Sequence, residues 1–281
     1  MRYLKEYEYE NDVQAAIDNG ELGKPYVAYI EIGSRIDWNT KIPTPPRPDY
    51  SKMRFGIVAH SDGIIYYKTT NKSWQRYLFS SATSSELEPT VAGVPIEVSS
   101  GDVVTFYGYS TDAFYKDNNN YCYFDSTAQI SLQGNILSVH NYYDDPETIP
   151  VFFPEGIHDN YFKNLFKGCT NLISAENLFL PYDTAIGCYS NMFEGCTSLT
   201  KAPDLLATSP ILSNCYSGMF KGCSSLNYIK CMAESDKGAG YTTSWVDGVA
   251  ASGTFVQNPE AGTWPTGVNG IPNGWTIEYA S

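Results

Sequence analysis

One stretch of the chain repeats itself at a fixed interval, and this constrains the fold more than any other feature. The octets Leu165–Leu172, Met192–Leu199 and Met219–Leu226 share one pattern, and their starting positions define a constant 27-residue period. A fixed period of this length is typical of architectures in which each unit buries its apolar side only against its neighbours. We therefore expect the three copies to stack on one another.

The residues of one copy predict a local structure. In Cys188–Cys196 the apolar residues fall at positions i, i+1, i+4 and i+5, which favours a short helix with one buried face. Gly195 would end that helix, and Leu199–Pro203 would form a brief extended segment, because proline cannot donate to a strand ladder. The predicted repeat core comprises Phe166, Cys169, Leu172, Cys188, Phe193, Cys196, Leu199, Cys215, Phe220, Cys223 and Leu226.

The repeat also resembles a known family. The run Cys-Tyr-x-x-Met-Phe-x-Gly-Cys-x-x-Leu-x-x-Ala-Pro at 188–203 is similar to the BspA-like leucine-rich repeats of Bacteroidetes surface proteins and of phages that infect these bacteria. The segment 244–275 resembles the C-terminal cap of that family. The resemblance implies a short leucine-rich repeat solenoid with a helix and a strand in each unit, and it says little about a ligand.

Four parts of the chain are predicted. Four prolines in Pro43–Pro48 mark a semi-rigid linker after an N-terminal anchor segment, residues 1–45. Residues 46–145 hold short β-branched and aromatic runs between Gly, Ser and Asn turns, which favours an antiparallel β-sandwich. The predicted strands are Arg54–Ala59, Gly63–Lys68, Val91–Val98, Val103–Tyr109, Tyr121–Phe124, Gln129–Leu132 and Ile136–Val139. The repeats follow at 146–235 and the cap at 236–281, so the predicted fold class is mixed β and α/β.

The N-terminal segment points to attachment. Its residues resemble the openings of virion proteins of crAss-like bacteriophages, which implies docking on the particle, for example by strand addition. The alternative is an ordinary first hairpin of the next domain. The first ten residues contain no apolar signal-peptide core, so we expect synthesis in the host cytoplasm without export. The candidate anchoring residues are Tyr3, Leu4, Tyr7, Val27, Tyr29 and Ile30.

Charge and cysteine usage narrow the partners and cofactors. The net charge of −13 disfavours nucleic acid and anionic membranes as partners, and no apolar run is long enough to span a membrane. Five of the seven cysteines occupy two recurring repeat positions, which favours small buried apolar groups; disulfides and a zinc site stay as alternatives. We predict no cofactor and no metal.

Catalytic motifs are absent from the sequence. It contains no G-x-S-x-G, H-E-x-x-H or phosphate-binding loop, and we predict that the chain is not an enzyme. A glycosidase with paired carboxylates is the formal alternative, with Asp144–Asp145 or Asp112 and Asp117 as candidates. Trp74 is either a core residue or a platform for sugars.

Two functions compete at this point. The resemblances and the N-terminus favour a structural virion protein, a head fibre or capsid decoration, that binds other virion proteins through its N-terminus. Such a protein would display its tyrosine-rich surface to a glycan or protein of the host bacterium, as a homo-oligomer for which we expect a trimer. The alternative is a bacterial cell-surface adhesin that binds a host protein or glycan.

Overall fold

The computed structural model describes residues 48–69, 77–82, 85–86, 90–91, 95–108, 114–118, 120–139, 148–152, 159–207, 211–234, 240–262 and 264–280. The chain from Asp49 onward forms one compact unit. The candidate anchoring residues Tyr3, Leu4, Tyr7, Val27, Tyr29 and Ile30 lie outside the described residues, and so does Trp74.

Short strands make up the regular structure of the described residues. Two 3-10 helices, Tyr50–Lys52 and Ile136–Val139, accompany them. The strands are β1 (Gly56–Ala59), β2 (Gly63–Thr69), β3 (Tyr77–Ala82), β4 (Ser85–Glu86), β5 (Thr90–Val91), β6 (Pro95–Val98), β7 (Val103–Gly108), β8 (Tyr115–Asp117), β9 (Asn120–Ser126), β10 (Ile130–Asn135), β11 (Leu172–Phe179), β12 (Tyr228–Cys231), β13 (Thr254–Gln257) and β14 (Thr276–Tyr279).

Two sheets face each other in the first half of the compact unit. One has the order β11-β10-β1-β7-β3-β4, with β5 paired to β3, and the other has the order β6-β2-β9-β8. Phe106 of the first sheet meets Phe124 of the second edge to face, with ring centroids 5.2 Å apart, and Phe55 meets Phe124 at 5.6 Å. Aromatic pairs of this geometry add about 0.5–1.5 kcal/mol each to the gain from burial. These rings form the core of this two-sheet region.

The buried side chains of Asn135 and Ser138 hydrogen-bond several segments of the two-sheet region together. The Asn135 side chain donates to the Ser51 and Pro150 carbonyls and accepts from the Leu137 amide at 2.9 Å. The Ser138 hydroxyl accepts from the Phe55 amide and donates to a carbonyl of β7. The strand predicted at Ile136–Val139 is therefore wrong: the Asn135 side chain caps the turn there, and the residues form a 3-10 helix.

The repeats stack as consecutive β-turns. In the second copy the even-numbered amides from Cys188 to Cys196 each donate to the carbonyl three residues earlier, which closes one turn after another. The odd-numbered amides from Gly187 to Gly195 donate instead to carbonyls of the next copy, as Phe193 does to Met219, at 2.8–3.0 Å. The first copy bonds to the second in the same alternating way. We call this part, the described residues between 159 and 248, the stacked-turn region.

Every fourth residue of these turns has a left-handed backbone. In the second copy they are Gly187 (φ 63°), Asn191 (φ 54°) and Gly195 (φ 78°). Each is the third residue of a turn, where a type II turn requires positive φ and so favours Gly or Asn. The other two copies carry Asn or Gly with positive φ at the matching places: Asn160, Asn164, Gly168, Asn214, Gly218 and Gly222.

The fold class predicted from the sequence is wrong. We expected mixed β and α/β with a leucine-rich repeat solenoid, but the described residues contain strands, turns and two short 3-10 helices and no α-helix. An α-helix bonds every amide to the carbonyl four residues earlier. In Gly187–Gly195 five of the nine amides are instead bonded to the neighbouring copy. The spacing of the apolar residues fits both a helix and consecutive β-turns, because two successive turns span four residues and so bring apolar side chains inward at the same interval.

Aromatic columns hold the stack together and join it to the sheets. The rings of Phe166, Phe193 and Phe220 are stacked almost parallel, with centroids 5.5 and 5.8 Å apart. Phe166 also stacks on Phe124 of β9 at 5.4 Å. At the other end Trp245, fully buried, packs on Phe220. Trp245 also meets Phe255 of the parallel sheet β12-β13-β14 edge to face, with ring centroids 6.1 Å apart.

Candidate functional site

The predicted repeat core lies in the interior and does not form a surface. Each of its members has no exposed surface: Phe166, Cys169, Leu172, Cys188, Phe193, Cys196, Leu199, Cys215, Phe220, Cys223 and Leu226. They pack against the same positions of the neighbouring copies, so their role in this structure is to fill the stack. A ligand must be sought elsewhere.

The cysteines are unreactive in this environment. All seven are free and buried, and burial raises the pKa of the Cys169 and Cys223 thiols to about 12. The thiols of Cys196 and Cys223 donate to the carbonyls of Phe166 and Phe193, at 3.1 and 3.0 Å. A protonated, buried thiol is neither a nucleophile nor a metal ligand. In the part of the chain that the structure describes, no three His, Cys, Asp or Glu residues are grouped to hold a metal ion.

The outer side of the sheet β6-β2-β9-β8 carries a strip of tyrosines and charged residues. Strand alternation places it there, because the residues between these side chains point inward and are buried: Ile65, Tyr67, Cys122 and Phe124. We call the strip the tyrosine face. It comprises Tyr66, Lys68, Tyr115, Tyr121, Tyr123 and Asp125 of the sheet, together with Lys163 of the adjacent turns, which lies over the Tyr115 ring.

Three rings of the tyrosine face form a continuous row. Tyr115 on β8 lies 6.0 Å from Tyr121 on β9, centroid to centroid, and Tyr121 lies 5.7 Å from Tyr123. Tyr121, Tyr123 and Tyr66 are half-buried, while Tyr115 is buried. The Tyr115 hydroxyl donates to the Asn118 side chain at 2.6 Å, which fixes that end of the row.

A lysine–aspartate pair lies between two of the tyrosines. Lys68 Nζ donates to Asp125 Oδ2 at 2.8 Å and lies 4.7 Å from the Tyr66 ring centroid and 5.7 Å from that of Tyr123. The hydrogen bond to Asp125 raises the pKa of Lys68, against the opposing effect of partial burial. Lys68 therefore stays protonated at neutral pH, and its ion pair with Asp125 offsets its charge within the face.

The far end of the row carries a second lysine. Lys163 belongs to the first turn of the stacked-turn region, and its Nζ lies 4.4 Å from the Tyr115 ring centroid. A cation over a tyrosine ring contributes about 0.5–1 kcal/mol at an exposed site. No carboxylate among the described residues lies within ion-pair distance of Lys163.

Sequence reasoning did not single out the tyrosine face. Its signal was available, since Tyr66 and Lys68, and Tyr121 and Tyr123, alternate with inward residues in runs predicted as strands, and Asp125 continues the alternation just past the second run. Local sequence could not show that β2 and β9 pair, with Lys68 opposite Tyr123. Of the carboxylates considered for a glycosidase, Asp117 lies on β8, and Asp112, Asp144 and Asp145 lie outside the described residues.

No family model, curated protein or solved structure matches the chain. None of the described residues forms a helix long and apolar enough to cross a membrane. The function is therefore inferred from the tyrosine face and from the sequence resemblances.

Proposed function

We propose that the chain is a structural protein of a bacteriophage virion, a head fibre or capsid decoration, that displays a binding face for the surface of the host bacterium. The tyrosine face carries this proposal. It is a row of three aromatic rings, with a fourth, Tyr66, across Lys68 from the row, on the outer side of a sheet whose other side is packed core. A rigid support of this kind suits recognition without chemistry.

The location on a virion rests on the sequence. The repeat motif at 188–203 resembles that of phages infecting Bacteroidetes, and the N-terminal residues resemble openings of virion proteins. Residues 1–45 would attach the chain to another virion protein, and a homo-oligomer would present several copies of the face. Multivalent display makes weak individual contacts sufficient for attachment.

Mass spectrometry of purified virions tests this proposal. We expect peptides of the chain in gradient-purified particles, in a constant ratio to the capsid protein, and labelling of the particle surface by an antibody to the chain. Peptides found only in the membrane fraction of a bacterium, and absent from particles, would contradict the proposal and favour the cell-surface adhesin.

A further inference from the structure

We propose that the tyrosine face binds a neutral saccharide chain. This inference rests on the proposed binding function and names the ligand class for the same face. The half-buried rings of Tyr121 and Tyr123 offer a line of apolar surface, which the buried Tyr115 ring supports at one end and the Lys68–Asp125 pair edges at the other.

The shape of the face suits sugars. A pyranose ring has an apolar side formed by its C–H groups and a rim of hydroxyls, so it packs on an aromatic ring while its rim hydrogen-bonds to neighbouring polar groups. Tyr121 and Tyr123 follow each other along β9 at 5.7 Å, so that successive sugar units of one chain can contact successive rings.

The polar groups of the face supply both kinds of hydrogen-bonding partner. Lys68 Nζ has three donor positions, of which Asp125 Oδ2 takes one. The Asp125 Oδ1 atom accepts from the Ser126 amide at 2.9 Å, and each carboxylate oxygen has a second acceptor position. A sugar hydroxyl both donates and accepts, so the ion pair suits it without requiring a charged ligand.

Charge argues against a polyanion on this face. Aromatic rings beside lysines also occur in proteins that bind single-stranded nucleic acid, where an electropositive groove follows the phosphates. Here the charge of Lys68 is offset by Asp125, Lys163 is the one further described cation at the ring row, and the chain carries a net charge of −13. Binding of a polyanion draws its strength from several uncompensated cations, which the face lacks.

Isothermal titration calorimetry on the full chain tests the inference. The probes are the neutral hexasaccharides of glucose, mannose, galactose and N-acetylglucosamine, with an oligothymidylate as the nucleic-acid probe. We expect at least one hexasaccharide to bind with a Kd of about 1 mM or tighter and the oligothymidylate not to bind.

Variants of two rings locate the binding. Tyr121→Ala and Tyr123→Ala should each weaken binding by about fivefold or more, since each removes one aromatic contact. Tyr121→Phe and Tyr123→Phe retain the rings and should stay within about threefold of the wild type. Tyr279→Ala, on the exposed strand β14, is the matched control for an unrelated surface tyrosine and should leave the Kd unchanged. Thermal unfolding checks that each variant folds, and Tyr66→Ala replaces either alanine variant that does not.

Three results would overturn the inference: no hexasaccharide binds, the alanine variants bind as the wild type does, or the oligothymidylate binds in their place. These results leave the virion proposal standing, because that proposal is tested by the composition of the particle. Conversely, a chain that binds the saccharide through the tyrosine face but is absent from virions would contradict the virion proposal alone.

Discussion

The two-sheet region and the stacked-turn region bury aromatic side chains in different ways, and this decides which of them can carry a site. In the sheets, inward and outward residues alternate along each strand. The buried Phe124, for example, lies between the outward residues Tyr123 and Asp125. In the stacked turns, alternate backbone amides bond to the next copy. The buried side chains pack on the next copy too, as in the column Phe166, Phe193 and Phe220. The sheets therefore provide the outward side chains that we propose as a binding surface, and the turns pack against the sheets through Phe166.

The largest expected effect tests whether the aromatic column holds the stack. Phe193 is fully buried between two parallel rings, so Phe193→Ala should lower the free energy of unfolding by about 3–5 kcal/mol. Phe193→Leu retains most of the volume and should cost about 1–2 kcal/mol. Urea unfolding at equilibrium measures both.

The tyrosine face supplies the contrast for this experiment. Tyr123→Ala removes a half-buried ring from the outer side of a sheet and should cost less than about 1 kcal/mol. A loss for Phe193→Ala as small as that for Tyr123→Ala would mean that the column does not stabilise the stack.

A change of intermediate size distinguishes stacked turns from a helix, because the two structures predict opposite signs for the change in the free energy of unfolding. Asn191 has φ 54°, a conformation that alanine adopts only at a cost of about 1–2 kcal/mol, so Asn191→Ala should lower the free energy of unfolding. In a helix the same change would raise it by about 0.5 kcal/mol, because alanine is the better helix former. Asn191→Gly is the matched control: turns tolerate it, whereas a helix would lose stability. A stabilised Asn191→Ala protein would favour the helix.

The smallest effect compares one surface ion pair from each region. Lys201 and Glu176 join two copies of the stack at 2.8 Å, and Lys68 and Asp125 pair at the same distance on the tyrosine face. All four side chains are partly exposed, so double-mutant cycles with alanine should give coupling energies of about 0.2–1 kcal/mol for each pair. Both couplings should shrink at about 1 M salt, where the Debye length is about 3 Å. Coupling well above this range in one region only would show that its surface charges are shielded from solvent.

Sequence reasoning predicted the period of the stack but not its hydrogen bonding. The constant spacing is visible in any comparison of the chain with itself, and it places residues such as Cys196 and Cys223 at equivalent positions. Local spacing could not separate helix from turns, because the deciding hydrogen bonds join amides such as that of Phe193 to carbonyls of the next copy. The sequence held one further clue, Asn191 and Gly195 four residues apart, because Asn and Gly at this spacing suit repeated turns better than a helix. In the structure both residues have positive φ.

The candidate site was less accessible to prediction. The alternation in Tyr121, Tyr123 and Asp125 shows that these residues share one side of a strand. Their contact with Lys68 depends on the pairing of β2 with β9, two strands that lie far apart in the chain. Long-range pairing of this kind leaves little trace in local sequence.

Chemical-shift mapping by NMR with the tightest-binding neutral hexasaccharide tests the central claim most directly, because it reports on both regions at once. We predict shift changes at the amides and ring protons of Tyr66, Tyr121 and Tyr123, and none at Phe193 or Phe220 within the stack. Changes confined to the stacked-turn region, with the tyrosine face unaffected, would contradict the account.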